Sequence, residues 1–216
     1  MPTICGIDEA GRGPVIGPLV ISGILIEEKD LDKLRNLKVR DSKLLTPKQR
    51  EFLYKEIKKV IIKEKTIIID NHEVDDALNS EELNLNKLEA VKTAMIINYL
   101  KPDKVTIDCP SVNIKSYVEY LKTFIKYEPQ IKAEHKADYK YVECSSASIL
   151  AKCVRDNEIK KLKKKYKVDF GSGYPSDPVT QEFLRKNYDK YDFFRKTWAT
   201  YKNIAEKKKQ KSLIDY

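Results

Sequence analysis

Two acidic residues beside a glycine-rich turn form the strongest chemical signal in the 216-residue sequence. Asp8 and Glu9 open the segment DEAGRGP at residues 8–14. Paired carboxylates suit a cation, and backbone amides near glycines can approach a phosphate or a sugar closely. The planar guanidinium of Arg12 can engage two phosphate oxygens. The segment therefore predicts a site for a cation and a phosphate, although a strand ending in a solvated acidic turn would contain the same acidic pair.

Two further aspartates are candidates for the same site. Asp108 ends an apolar run, and acids at the end of a buried strand in an α/β sheet lie where ligands collect. Asp138 ends the segment EHKAD. A turn aspartate and a surface acid are the alternatives for these two residues. Because neighbouring strand residues point to opposite faces, Glu9 can share a site with Asp8 only if Glu9 already lies in the turn.

These acids together predict metal chemistry. Several carboxylates in one cleft repel each other unless cations neutralise them, and all-oxygen sites suit Mg²⁺ or Mn²⁺. Two such ions about 4 Å apart can activate a water and stabilise the leaving oxygen of a phosphodiester. The hypothesis from these residues is two-metal hydrolysis of nucleic acid.

The composition favours a globular protein with a polyanionic partner. Lysine and arginine number 42 against 33 acids, a net charge of +9, although a lysine-rich surface can serve solubility alone. Residues 15–26, the longest apolar stretch, are too few to span a bilayer, and the N-terminus lacks a secretory pattern. The four cysteines have no zinc-site spacing and are predicted to be reduced thiols. We therefore expect a cytoplasmic protein with no membrane role.

Helices and strands alternate along the chain, which predicts an α/β domain. The segment 171–175 breaks the helical pattern, and the lysine-rich end of the long helix before it complements the helix dipole. The predicted elements are a hairpin of residues 3–8 and 19–26, a capped helix 46–63, a strand 66–70, a helix 80–100, a strand 104–108, a helix 112–125, a strand 131–134, a helix 144–166, short helices up to 205 and a frayed basic end.

Six motifs, in this order along the chain, resemble the ribonuclease HII family, especially its archaeal branch. They are DEAGRGP at 8–14, DSK at 41–43, Asp108, EHKAD at 134–138, SASILAK at 146–152 and GSGYPSDP at 171–178. The resemblance implies a ribonuclease H-like mixed sheet flanked by helices, with a small helical C-terminal extension. We therefore expect a catalytic domain over 1–166 and an extension over 167–205 that contributes to substrate binding. The basic composition of residues 206–216 predicts a flexible tail.

The resemblance also implies the activity. Members of this family cut the RNA strand of RNA/DNA hybrids and cut 5′ of ribonucleotides embedded in duplex DNA, leaving 5′-phosphate and 3′-hydroxyl ends. Asp8, Glu9, Asp108 and Asp138 match the family's four catalytic metal ligands, which hold two divalent ions, Mg²⁺ or Mn²⁺. The segment between the last two acids contains an insertion relative to bacterial members.

The substrate-binding residues follow from the same resemblance. The 2′-hydroxyl is the group that distinguishes ribose from deoxyribose. Gly11, Arg12 and Gly13 match the motif that reads this hydroxyl and the adjoining phosphate. Tyr174 matches the tyrosine that packs against the sugar beside the RNA–DNA junction, and Lys43 matches a lysine near the scissile phosphates.

The C-terminal residues resemble a sliding-clamp-binding peptide. Gln210, Leu213 and Tyr216 stand at relative positions 1, 4 and 7, where one helical turn brings the apolar pair onto a shared face. The usual second aromatic residue is missing. Clamp binding would suit a monomeric enzyme of DNA replication and ribonucleotide excision repair.

Two other functions remain alternatives. Ribonuclease HIII is disfavoured because that group has an additional N-terminal domain, for which the position of Asp8 leaves no room. A non-catalytic nucleic-acid-binding module would account for the charge but not for the four acids. His135 could shuttle a proton, although a structural or surface role is favoured. Trp198 is predicted to pack within the C-terminal extension.

Overall fold

The structure is a computed structural model that describes residues 1–39 and 45–214, except the side chains of Lys209 and of residues 211–214. Its strands are β1 (Thr3–Ala10), β2 (Leu19–Glu27), β3 (Lys63–Ile69), β4 (Lys104–Asp108) and β5 (Gln130–Glu134). Its helices are α1 (Leu31–Asn36), α2 (Pro47–Val60), α3 (Asn71–Asn79), α4 (Leu85–Leu100), α5 (Ile114–Lys122), α6 (Ala137–Lys140), α7 (Val142–Tyr166), α8 (Pro178–Asn187) and α9 (Ala199–Ile214).

The five strands form one mixed sheet in the order β3-β2-β1-β4-β5. Strand β1 pairs antiparallel with β2, and β4 runs parallel to both β1 and β5. Parallel neighbours require crossover connections, which here include helices. Apolar residues of β1, β2 and β4 are buried, as expected for strands covered on both faces. The predicted α/β mixed sheet flanked by helices is therefore confirmed.

The chain forms two compact units that do not follow its linear order. The first unit comprises Met1–Ala10, Val20–Ile68 and Leu85–Val154, and it contains the sheet and the buried face of α2. The second unit comprises Gly11–Leu19, Ile69–Asn84 and Arg155–Tyr216. Its core is rich in aromatic residues, including Phe170, Phe193 and Phe194. The division into functional domains at residues 166 and 205 stays a prediction.

Local sequence signals placed most elements correctly. Thr46 caps α2 in a reciprocal hydrogen-bonded box with Gln49, with proline at the first helical position, as the sequence predicts. The predicted helix start at Ser80 is wrong, because the Ser80 hydroxyl accepts from the amides of Glu82 and Leu83 and closes a separate turn. Helix α4 begins only at Leu85.

Several other helical segments differ from the predictions, and helices α1 and α6 were not predicted at all. Helix α3 was missed, although Asp70 before it accepts a hydrogen bond from the amide of Glu73 and is a recognisable N-cap. Helix α9 continues to Ile214 and includes most of the segment predicted to be a frayed tail. Within the described part of the chain, no helix is both long enough and apolar enough to cross a membrane.

Candidate active site

The parallel pairing of β1 and β4 places two acids side by side. Ile7 pairs with Ile107 in this register, and each is followed by an aspartate, Asp8 or Asp108. Both acids therefore lie at the carboxyl ends of neighbouring parallel strands, where ligands of α/β sheets collect. The apolar residues before them are buried, so the register is fixed by the core.

The third acid reaches this place from the end of β5. Residue Lys136 adopts a left-handed conformation with a φ of 57°, which turns the chain from the strand into the short helix α6. The amide of Ala137 donates a hydrogen bond to Asp108 Oδ1 over 3.1 Å, and the Ser145 hydroxyl donates to the carbonyl oxygen of Asp138. These bonds fix Asp138 next to the strand-end aspartates.

The three carboxylates fit a divalent cation. One oxygen from each of Asp8, Asp108 and Asp138 lies within 4.8 Å of the others. Oxygens bound to one Mg²⁺ at about 2.1 Å stand up to about 4.2 Å apart, so a small closure would complete a shared site. All donors are hard oxygen atoms, which is the donor set that Mg²⁺ and Mn²⁺ prefer. The chemistry of the donors therefore supports the metal site that the sequence predicted.

The environment of Asp8 shows the electrostatic cost of this cluster. Burial and the negative charge of Asp108 raise the pKa of Asp8 from its ordinary value of 3.8 to about 7. A hydrogen bond with Ser148 and the positive charge of Lys152 oppose this shift. Ser148 and Lys152 are one turn apart on α7, and Lys152 Nζ donates a hydrogen bond to Ser148 Oγ over 2.7 Å. A cation would supply the charge compensation that Asp8 lacks.

Glu9 does not belong to the cluster of the three aspartates. It lies within β1, opposite Ile21 of β2, and not in the turn that convergence with Asp8 requires. Side chains alternate along a strand, so Glu9 points to the other face of the sheet. The charge of Glu9 instead acts on Tyr117. Burial raises the pKa of this tyrosine, and the negative charges of Glu89 and Glu9 raise it further. The role of Glu9 as a metal ligand stays a prediction.

The glycine-rich turn that follows β1 is held by its backbone carbonyl groups. Gly11 adopts a φ of 86°, and a Cβ atom there would lie 2.5 Å from the carbonyl oxygen of Pro18. Guanidinium nitrogens of Arg195 donate to the carbonyl oxygens of Gly11 and Arg12 over 2.7 and 2.9 Å. Only glycine fits this conformation at residue 11 without strain.

Tyr174 lies in the same compact unit as this turn. The guanidinium carbon of Arg155 stands 5.0 Å from the centre of the tyrosine ring, and Arg155 Nη2 donates to the carbonyl of Ser172 over 3.1 Å. Tyr174 as a whole residue is 39% exposed. One part of the ring is therefore packed on a cation while another part is open to a ligand.

The comparisons with known proteins agree with this arrangement. The family model described as Ribonuclease HII matches residues 5–201. The chain belongs to the ribonuclease HII family. Similar family members are named Ribonuclease HII in Pyrococcus horikoshii, at 44% identity over 97% of this chain and 96% of the relative, and in Methanothermobacter thermautotrophicus, at 43% identity over 96% and 99%. These relatives are archaeal, which confirms the branch that the sequence indicated.

Solved structures give the same family assignment. The crystal structure of ribonuclease H2 from Pyrococcus horikoshii has a TM-score of 0.86 at 44% identity, covering 95% of this chain and 98% of that one. A structure of a PCNA:RNase HII complex from Archaeoglobus fulgidus has a TM-score of 0.84 at 37% identity, covering 93% and 96%. The protein is thus a ribonuclease H, a hydrolase of a family that depends on divalent metal ions and cuts the RNA strand of RNA/DNA hybrids.

The remaining predicted residues have different outcomes. Lys43 and Tyr216 lie outside the described residues, as does the side chain of Leu213, while Gln210 is exposed on α9. His135 Nδ1 donates a hydrogen bond to the carbonyl oxygen of Cys109 over 3.2 Å, which agrees with the structural role that was favoured. Trp198 packs against the aromatic core of the second unit, as predicted.

Sequence reasoning missed the residues that support the site from a distance in the chain. Ser148 and Lys152 belong to the quoted SASILAK segment, and their spacing of four on a helix could have indicated a shared face. Arg155 follows one turn later along α7. Arg195 has no local signal, because its partners are separated from it by more than 170 residues.

Proposed function

We propose that this protein cuts 5′ of single ribonucleotides embedded in duplex DNA, in addition to the RNA strand of hybrids, and leaves 5′-phosphate and 3′-hydroxyl ends. The observation that carries the proposal is the cluster formed by Asp8 and Asp108, at the carboxyl ends of β1 and β4, with Asp138 of α6. Such a cluster suits phosphodiester hydrolysis because its charge can hold cations beside a phosphate.

The metal-binding part of the proposal uses four acids. Asp8, Asp108 and Asp138 would hold one or both of two divalent ions, Mg²⁺ or Mn²⁺, and Glu9 would need to approach the site when metal and substrate bind. Bound ions would supply an activated water and charge stabilisation of the leaving oxygen. The chain itself orients the carboxylates through the strand register and through the bond from Ala137 to Asp108.

The substrate-binding part uses the glycine-rich turn and an aromatic ring. Gly11, Arg12 and Gly13 would bind the ribose 2′-hydroxyl and the adjoining phosphate, Tyr174 would pack against the neighbouring sugar, and Lys43 would lie near the scissile phosphates. The fixed carbonyl groups of the turn and the partly open ring of Tyr174 support this assignment. All four cysteines are buried, in keeping with an enzyme of the reducing cytoplasm.

The test is cleavage of a labelled DNA duplex with one embedded ribonucleotide, alongside an all-RNA/DNA hybrid and an all-DNA duplex. We expect a single cut 5′ of the ribonucleotide in Mg²⁺ or Mn²⁺ and no cut in EDTA or in the all-DNA duplex. Cleavage of the hybrid alone would refute the proposal for embedded ribonucleotides while leaving the ribonuclease H activity intact.

We also propose that the C-terminal residues bind the sliding clamp and that the enzyme acts as a monomer. A ribonuclease HII has been solved with PCNA, and the spacing of Gln210, Leu213 and Tyr216 suits a clamp pocket. Replacing these three residues with alanine should abolish co-elution with PCNA in size-exclusion chromatography and leave cleavage unchanged. Replacing Lys211 and Ser212 is the matched control. Retained co-elution of the triple variant would refute the assignment.

A further inference from the structure

The buried side chain of Arg195 is not among the metal-binding or substrate-binding residues proposed above. Arg195 is 0% exposed, and its guanidinium donates three hydrogen bonds to backbone carbonyl oxygens. Nη2 binds Gly11 over 2.7 Å, Nη1 binds Arg12 over 2.9 Å and Nε binds Gly17 over 3.1 Å. Only arginine presents enough donors in a rigid fork to hold three carbonyl groups at once.

Trp198 holds the next carbonyl group of the same turn. Its indole Nε1 donates to the carbonyl oxygen of Gly13 over 3.0 Å, and the guanidinium carbon of Arg195 stands 4.7 Å from the centre of its ring. The carbonyl groups of three consecutive residues, Gly11 to Gly13, are therefore all bound by two neighbouring side chains. Such a complete set of carbonyl contacts leaves the peptide planes of the turn little freedom to rotate.

These contacts dictate where the amide groups of the turn point. In a trans peptide the N–H of one residue points opposite to the C=O of the residue before it, and the described chain contains no cis peptide bond. Because the carbonyl groups of Gly11 and Arg12 point at Arg195, the N–H groups of Arg12 and Gly13 point away from it. Two consecutive amides directed to one side form a concave donor site for an oxygen ligand.

The segment that carries Arg195 is itself fixed on both sides. The amide of Arg195 donates to the carbonyl of Val15 over 2.8 Å. The buried carboxylate of Asp75 on α3 accepts from the amides of Lys196 and Thr197 over 2.8 and 3.0 Å. Hydrogen bonds therefore fix the backbone at Arg195 itself and at the two residues that follow it.

We propose that Arg195 is a positioning residue for ribose recognition, which it supports by orienting the amides of Arg12 and Gly13 through their neighbouring carbonyl groups, with Trp198 completing the arrangement. This inference rests on the proposed recognition of the 2′-hydroxyl by the glycine-rich turn. Arg195 itself does not contact the substrate. Its loss should weaken the discrimination between ribose and deoxyribose more than it weakens the binding of duplex DNA.

The experiment measures this discrimination directly. In an Asp8→Asn background, which prevents turnover, fluorescence anisotropy gives the Kd for a DNA duplex with one ribonucleotide and for the same all-DNA duplex. We expect Arg195→Met to reduce the ratio of the two affinities at least about tenfold, with the all-DNA Kd changed less than about twofold. Arg195→Lys, which keeps the charge but not the fork, should recover part of the ratio. Arg185→Met, on the exposed surface of α8, should leave it unchanged.

A second variant covers the outcome in which Arg195→Met does not fold. Trp198→Phe removes one donor and keeps the aromatic packing, and it should lower the ratio about threefold. If Arg195→Met folds and its ratio of affinities for the two duplexes is unchanged, the inference is overturned. If Arg195→Met is unfolded, an unchanged ratio in Trp198→Phe overturns it. An equal loss of affinity for both duplexes would also overturn it, since that result indicates a general structural role. If the Asp8→Asn parent itself shows no ribose preference, then the proposed recognition fails and the inference fails with it.

Discussion

Asp8→Asn is expected to abolish cleavage and, in the absence of metal, to make the protein more stable at pH 8. Cleavage should fall at least about 1,000-fold, because a direct ligand of the proposed metal site loses its charge. Substrate binding should remain measurable, since the basic surface is unchanged. A variant that cuts at the wild-type rate would refute the assignment of Asp8 to the metal site.

The stability gain follows from the direction of the pKa shift. The pKa of Asp8 is about 7 in the folded protein against an ordinary value of 3.8, so the folded state holds a proton between these pH values that the unfolded state has lost. Stability from this group is therefore present at pH 4 and falls as the pH rises towards 7. A shift of this size lowers the free energy of unfolding by about 4 kcal/mol above pH 7. The uncharged amide of the Asp8→Asn variant would avoid this loss.

The measurement is thermal unfolding of both proteins in EDTA at several pH values. The variant should unfold at least about 5 °C higher at pH 8, and the difference should vanish near pH 4. Adding Mn²⁺ should stabilise the wild type and not the variant. Asp32→Asn, at a surface ion pair with Arg35, is the control and should change the free energy of unfolding by less than about 0.5 kcal/mol. A variant less stable than the wild type at pH 8 would contradict the electrostatic account.

Gly6→Ala is expected to destabilise the protein and to displace the strand that carries Asp8. A Cβ atom at Gly6 would lie 2.2 Å from the carbonyl carbon of Glu143 and 2.6 Å from the amide nitrogen of Cys144. These atoms are backbone at the start of α7, which cannot rotate aside as a side chain could. We expect a loss of at least about 3 kcal/mol in the free energy of unfolding, because overpacking against backbone requires β1 and α7 to separate.

The matched control is the same substitution where there is room. A Cβ atom at Gly13 would have its nearest neighbour, Tyr174 Cε1, at 3.9 Å, so Gly13→Ala should leave thermal stability almost unchanged. Gly6→Ala should lower the unfolding temperature by about 6 to 12 °C. Equal unfolding temperatures for the two variants would show that β1 and α7 are not in the close contact described above.

Much of the fold was predictable because its signals are local. The capped start of α2 and the period of apolar residues in β1 and β4 depend on residues a few positions apart. Its position at the end of an apolar run also identifies Asp108 as a candidate from the sequence alone. Helix α3 could have been predicted from its Asp70 cap, but it is short and carries few apolar residues.

The order of residues determined which acids could meet, and only the tertiary structure decided which do. Asp8 and Asp108 meet because two buried strands pair in one register, whereas Glu9 is turned away by the alternation of the same strand. Arg195 is the clearest case beyond the reach of sequence reasoning. It binds carbonyl groups 178 to 184 residues away. Because every residue has a backbone carbonyl group, the types of the residues in the turn do not indicate that an arginine binds them.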